Sequence, residues 1–341
     1  MKKRYADAHD SGDIHIHDMD FEAMGTTTCM QIDLNKLFKN GFSTGHGHLR
    51  EPQSIISYSA LAAIAIQSNQ NDQHGGQSIP AFDFYMAPGV LKTFRKEFKQ
   101  AIYELLNFTD FINFINMDKI VKEIDKLSSI EFDLGMFSTF YKESTEVRRI
   151  FESAYDTALA KTDRQTYQAM EAFVHNLNTM HSRAGAQVPF SSINFGTDVS
   201  PEGRMVIKNY LLSVDSGLGK NETPIFPISI FKVKEGVNYN PGDPNYDLFK
   251  LSIKVSAKRL FPNFSFLDSP FNASYYKGDY NTEVCYMGCR TRVIGNVADP
   301  NREVTPGRGN LSFTSINLPR LGIKHGIVSN DKTDMKGFYA E

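Results

Sequence analysis

The chain has 341 residues, 41% of them hydrophobic, and a formal net charge of -2. Such a length holds one large domain or two ordinary ones, and so small a charge excludes a global attraction to nucleic acid or anionic membrane. No apolar run reaches the length of a membrane span, the opening MKKRYAD lacks the apolar core of a signal peptide, and three cysteines argue against a disulfide scaffold and for a reducing, cytoplasmic setting.

In chain order, residues 9–20 alternate histidine and isoleucine ahead of an acidic cluster. That alternation predicts a short strand with His15 and His17 on one face. The pair reads either as a metal or proton-transfer pair or as two hydrogen-bonded histidines at a strand end. Cys29 follows three threonines and reads as a small buried residue. Residues 54–68 are apolar nearly all round and alanine-rich, which predicts a buried helix behind Pro52. The amide-rich segment 69–78 cannot form a core. Asn69, Asn71, His74 and Gln77 offer donors and acceptors to a polar ligand, and Gly75 with Gly76 permits close backbone approach.

Residues 90–127 carry an amphipathic stripe and are expected to be mostly helical, as are residues 143–181, where the polar run at 160–166 is a candidate bend. From residue 187 strands and helices alternate: strands at 187–194, 224–231 and 263–267, helices at 200–216 and 246–260, then a strand at 311–318. Ser200 with Pro201 marks a helix start. The pattern points to a parallel sheet, open or closed into a barrel, with ligands at the carboxyl ends of the strands.

A loop at 282–298 holds Cys285 and Cys289. Four readings stand for this pair. They are an iron-sulfur or zinc site, although no C-x2-C spacing exists; a redox disulfide; two structural thiols; and a catalytic thiol whose pKa Arg290 and Arg292 would depress. Composition does not separate them.

The motifs taken together do. The stretches GDIHIHD (12–18), TTTCMQI (26–32), KNGFSTGH (39–46), QSNQNDQHGGQ (67–77), QAMEAFVHNLNTMHSRAGAQ (168–187), YMGCRTR (286–292) and GRGNLSFTSINLP (307–319) run through nearly the whole chain. Their ordered succession resembles the class III, anaerobic ribonucleoside-triphosphate reductases of the glycyl-radical superfamily. The resemblance implies an α/β fold, part of a ten-stranded α/β barrel with long helices outside. Residues 1–341 would be one truncated catalytic barrel domain. Its helix-rich part at 54–181 would carry the dimer and effector surface, and its β-α-β part at 187–320 the cysteine finger loop.

Residue by residue, the resemblance implies that Cys289 becomes a transient thiyl radical that takes the 3′ hydrogen of the ribose. Cys29 would be the second active-site cysteine, across the sugar, in the formate-using branch. Asn310 would hydrogen-bond substrate or formate, and His15 and His17 would lie near the site. Asn69, Asn71, His74, Gly75, Gly76 and Gln77 are candidate substrate contacts, and Cys285 keeps a structural role. Partners implied are ribonucleoside triphosphates, nucleotide effectors, a radical-SAM activase and a second copy of the chain. Nucleic acid and membrane are not among them.

Both ends read as cut. The family's N-terminal ATP cone and its C-terminal four-cysteine zinc site and glycyl-radical loop, R-V-x-G-Y or similar, have no counterpart in the sequence. The chain alone is therefore expected to bind no metal, to lack the radical store and to be inactive by itself, with the missing C-terminal portion supplied separately if the enzyme is split. The alternatives are a non-catalytic nucleotide-binding or dimerising fragment and a different glycyl-radical enzyme.

Overall fold

The short strands of the β-α-β region assemble around a row of polar side chains rather than apolar ones. The computed structural model describes residues 1–19, 27–109, 111, 115–141, 144–183, 185–288, 291–326 and 334–340. These fall into two units, Met1–Cys29 with Gly309–Glu341, and Met30–Arg308.

In the larger unit, Met30 and Gln31 of strand β1 (Cys29–Gln31) and strands β2 (Gln77–Ile79), β3 (Ser191–Phe195), β4 (Ile228–Val233) and β5 (Asn263–Phe266) lie side by side in that order, all parallel. Gln31 is level with Ser78, Ser78 with Ser192, Asn194 with Ile230, and Lys232 with Ser265. Side chains alternate across a strand, so two faces result. One carries Ile79, Ile193, Phe195, Phe231 and Val233, all buried in the hydrophobic core. The other carries Gln31, Ser78, Ser192, Asn194, Lys232 and Ser265, equally buried but polar, with Ile228 and Ile230 of β4 among them. A parallel sheet covered on both faces is ordinarily apolar on both, so the polar face must meet polar partners.

The helices between the strands cover the apolar face. They are α1 (Leu34–Asn40), α2 (Ile55–Asp72), α3 (Phe82–Asn107), α4 (Met117–Asp125), α5 (Thr145–Thr179), α6 (Pro201–Ser216) and α7 (Tyr246–Arg259). Helix α5 packs on α2, α3 and α6. Phe82 stacks on Phe173 at 5.1 Å and meets the Tyr210 ring at 5.8 Å. Phe94, Phe98, Phe132, Phe137 and Tyr155 form a second aromatic cluster.

Several boundaries differ from the sequence expectation for local reasons. The helix expected to start at 90 begins at Phe82 and runs through Pro88, a residue that normally signals a break because it lacks an N–H. The expected single helical stretch ends at Asn107, and α4 follows as a separate helix. The polar run at 160–166 lies within the continuous helix α5. Thr162 and Thr166 are buried there because their hydroxyls donate back to the carbonyls of Ala158 at 2.7 Å and Thr162 at 2.8 Å. Strand β4 starts at Ile228 rather than 224, since Pro227 cannot donate to a ladder. Helix α6 starts as expected, with Ser200 accepting from the Gly203 N–H at 3.0 Å.

The smaller unit contains a helix at Lys3–Asp10, a strand at Ile14–Ile16 antiparallel to one at Thr314–Ile316, and helices at Leu318–His325 and Met335–Ala340. Its second strand is shorter than the 311–318 expected from sequence.

Candidate active site

In the smaller unit the structure places His15, His17, Cys29 and Asn310. The His15 and His17 rings meet edge to face at 4.4 Å, and His9 lies 5.2 Å from His15. His17 pairs its Nε2 with Ser315 Oγ at 2.9 Å and packs on Phe313 at 4.8 Å. His17 is thus hydrogen-bonded just past the end of the Ile14–Ile16 strand, and His15 contributes ring contacts to His9 and His17. A cavity of about 330 Å³ opens beside it, lined by Tyr5, Ile14, Ile16, His17, Thr28, Leu311 and Thr314. Residues 28–29 and 309–310 run together. The Thr28 N–H donates to the Asn310 carbonyl at 2.8 Å. A Cβ on Gly309 would sit 2.8 Å from the Cys29 carbonyl oxygen, so glycine is required for this approach. Cys29 and Asn310, some 280 residues apart in sequence, are brought into adjacent backbone.

Cys289 and Arg290 lie outside the described residues. The residues around them form a hairpin of β6 (Cys285–Met287) and β7 (Thr291–Val293), in which Met287 opposes Thr291 and Cys285 opposes Val293. Its first arm lies on the polar face of the sheet. Asn194 accepts from the Tyr286 N–H at 2.8 Å and donates to the Tyr286 carbonyl at 2.9 Å. Ser78 donates to the same carbonyl at 2.9 Å. Ser192 Oγ accepts from the Gly288 N–H at 3.0 Å. Gly288 adopts φ +57°, and its Cα passes where a Cβ on Gly76 would be 3.5 Å away, with Phe190 beside both glycines. On the second arm, Arg292 donates to Asn272 Oδ1 at 2.8 Å and lies over the Phe271 ring at 5.1 Å. None of Ser78, Ser192 and Asn194 stood out in the sequence. Their only signal was polarity in strands that should be apolar.

At the root of the arm a buried charge cluster anchors Glu283. Lys232 and Glu283, 1% and 3% exposed, pair at 3.1 Å. Lys234 reaches the other carboxylate oxygen at 3.3 Å, and Thr197 donates at 2.9 Å. Burial disfavours the Lys232 charge, but Cys285, Glu283 and Asp83 around it outweigh that and hold its pKa above the ordinary value. Burial pushes the Asp83 carboxyl up, although Lys232 and the N–H groups of Gly196 and Asp198 oppose the shift. Asp198 is raised to about 6 by burial and by the Asp83 charge. The Cys285 thiol points at the Pro80 carbonyl at 3.2 Å, and burial raises its pKa against the pull of Lys232. It is a protonated, enclosed thiol, unsuited to thiolate chemistry.

The amide-rich segment turns into β2 through its own side chains. Asn69 bonds Gln77 Oε1. Gln70 donates to the carbonyls of Gln73 at 2.7 Å and Gly75 at 3.1 Å and accepts from the Phe190 N–H at 3.0 Å. Gln77 donates to the Gly75 carbonyl at 3.2 Å, Asn71 donates to the Gln67 carbonyl at 3.1 Å, and the His74 carbonyl accepts from Arg183 at 2.8 Å. The Gly76 carbonyl accepts from the Met30 N–H at 2.9 Å. Elsewhere in this unit a groove of about 590 Å³ is lined by Lys92, Arg95, Lys96 and Lys99 of α3 and by Asp125, with Lys99 paired to Asp125 at 2.5 Å and Lys92 to Glu51 at 2.6 Å.

Among the described residues no three His, Cys, Asp or Glu side chains converge as a metal site, and no helix is long and apolar enough to cross a membrane.

The sequence profile of a family described as anaerobic ribonucleoside-triphosphate reductase matches residues 1–341. The enzyme of that name from enterobacteria phage T4 is 30% identical over 318 residues, covering 93% of this chain and 44% of the phage protein. The one from Escherichia coli K12 is 29% identical over 320 residues, covering 93% and 38%. The chain thus spans less than half the length of these curated relatives. The fold is that of the Thermotoga maritima anaerobic ribonucleotide reductase solved with dATP bound in the specificity site: TM-score 0.56, 14% identity, 95% of this chain and 45% of that one.

Proposed function

The chain belongs to the anaerobic ribonucleoside-triphosphate reductase family, and from that premise we propose that it supplies the cysteine-bearing part of an enzyme that reduces ribonucleoside triphosphates to their 2′-deoxy forms. Cys289 carries the thiyl radical and takes the 3′ hydrogen, and the 2′ hydroxyl then leaves as water. Cys29 works from the other face of the sugar, formate supplies the two electrons, and the Asn310 amide hydrogen-bonds substrate or formate. The observation that carries this reading is the approach of residues 28–29 and 309–310, which a Cβ at Gly309 would block. His17 borders the cavity beside that pair, and His15 packs against the His17 ring.

The supporting shell follows from the contacts. Asn69, Gly75, Gly76 and Gln77 hold the turn against which Gly288 packs. Asn71, in the last turn of α2, and His74, on the turn itself, are the candidate substrate contacts of this segment. Nucleotide effectors are the class of ligand that dATP represents in the Thermotoga protein. The helical region 54–181 is the proposed dimer surface, in a reducing, cytoplasmic setting. Glycyl radical and activase belong to the whole enzyme, whose activity this chain serves.

The test uses a reductase of full family length that contains this chain, assayed without oxygen with formate and activase. Cys289→Ala and Cys29→Ala each abolish deoxynucleotide formation, while nucleotide binding stays within a few-fold. Retained turnover in Cys289→Ala refutes the assignment. Binding with no turnover in the unsubstituted enzyme favours a non-catalytic nucleotide module instead.

A further inference from the structure

A catalytic sulfur on a loop must be held to a fraction of an ångström, because a displacement of about 1 Å costs on the order of 100-fold in rate. The backbone leading into Cys289 is held by Ser78, Ser192 and Asn194, and of these Asn194 alone makes two bonds to it. Asn194 is fully buried on β3. Its amide spans a single residue of the arm, accepting from the Tyr286 N–H at 2.8 Å and donating to the Tyr286 carbonyl at 2.9 Å. It thereby reproduces the paired bonds of a neighbouring strand where no strand exists. The same Nδ2 also lies 3.2 Å from the Ile79 carbonyl and 3.3 Å from Ser78 Oγ, tying the arm to β2 as well as β3. Two residues earlier on β3, and therefore on the same face, Ser192 takes the Gly288 N–H.

We propose that Asn194 is a positioning residue for the radical chemistry. By clamping both backbone polar groups of Tyr286 to the sheet, it sets where the residue after Gly288 enters the site. It touches neither substrate nor the reacting atoms. This rests on the assignment of Cys289 made above.

Only a group with one donor and one acceptor side by side can make this clamp. Asparagine does so at every pH. An aspartic acid in its place does so only when protonated, its carbonyl accepting from Tyr286 N–H and its hydroxyl donating to the Tyr286 carbonyl. Burial on this face raises the pKa of such a carboxyl while the Lys232 cation, two residues beyond Ile230 on the neighbouring strand, opposes the shift; in either case the clamp survives below the carboxyl's pKa and is lost as pH rises through it.

The experiment measures anaerobic turnover of the full-length reductase carrying Asn194→Ala, Asn194→Asp or Cys289→Ala, across pH. Asn194→Ala lowers kcat by about 10–100-fold with KM for the ribonucleotide within about threefold. Asn194→Asp approaches wild-type kcat at low pH and gains a descending limb, relative to wild type, as pH rises. A lone structural role would not create that limb. Active Cys289→Ala overturns the underlying assignment. Inactive Cys289→Ala together with wild-type kcat in Asn194→Ala, or a rise in KM alone, overturns the positioning role. Should Asn194→Ala not fold, Asn194→Asp decides: a pH profile parallel to wild type overturns the proposal.

Discussion

Lys232→Met removes one partner of a buried ion pair and nothing from the reacting atoms. Breaking such a pair by deleting one member costs about 3–5 kcal/mol, because the survivor stays charged and desolvated. Here Glu283 keeps Lys234 at 3.3 Å and the Thr197 hydroxyl at 2.9 Å, which places the expected loss near about 3 kcal/mol. Asp83 adds a pH dependence. Its folded pKa is already raised by burial, and Lys232 is the charge that opposes the shift. Without that cation the carboxyl rises further. A carboxyl raised in the folded state contributes stability that is fully present below its unfolded pKa, near 3.8, and is lost as pH rises through the folded value. The Lys232→Met deficit is therefore smallest in acid and grows toward neutrality. Urea unfolding of the two proteins at a series of pH values reads both quantities. A deficit under about 1 kcal/mol at pH 7, the worth of an exposed pair, or one that shrinks as pH rises, refutes this account of the cluster.

Other substitutions probe separate contacts. Gly288→Ala places a Cβ 2.9 Å from the Phe190 ring at φ +57° and should cost about 1–3 kcal/mol by denaturant unfolding; a neutral result means the turn is not held as described. Asp83→Asn removes a charge that raises Asp198, so the Asp198 pKa should fall below about 6 in a carbon-detected NMR titration, and an unchanged value refutes the coupling. Ser54→Ala removes the reciprocal cap in which Ser54 and Ser57 each bond the other's backbone N–H; about 1 kcal/mol is expected from thermal melts. The buried Cys285 thiol should resist iodoacetamide at pH 8 by about 100-fold relative to denatured protein, as read by mass spectrometry.

What the sequence disclosed follows from range. Helices with local periodicity, such as α2 and α6, were legible because a repeat every three to four residues and a capping serine are local signals. The parallel sheet was legible from alternation of elements. The start of α3 was not, because Pro88 mimics a break. The arrangement of the site was legible only through family resemblance. Nothing within ten residues of Cys29 tells that Gly309 must approach it, and nothing in SSINF tells that Asn194 bonds Tyr286, 92 positions on. Such pairings are settled by topology.

The polar face of the sheet shows why the cysteine arm and the barrel strands must fold as one. A buried hydroxyl or amide left without a partner costs about 1–3 kcal/mol. Ser78, Ser192, Asn194 and Lys232 are all buried, and all find partners on residues 283–288. Removing the arm would leave Ser192, the Asn194 carbonyl oxygen and the Lys232 ammonium without these partners, although the Asn194 amide nitrogen keeps the Ile79 carbonyl and Ser78 hydroxyl, and removing the four side chains would leave the arm's own N–H and carbonyl groups unpaired. Gln31 and Ser265, on the same face, have no hydrogen-bond partner among the described residues, so the polar groups that are paired on this face are those beneath the arm. Excursions of the arm are therefore as costly as a large part of global unfolding. Amide hydrogen exchange at Tyr286 and Gly288 should match that of β3, and faster exchange by more than about 100-fold would mean that the loop opens independently of the sheet.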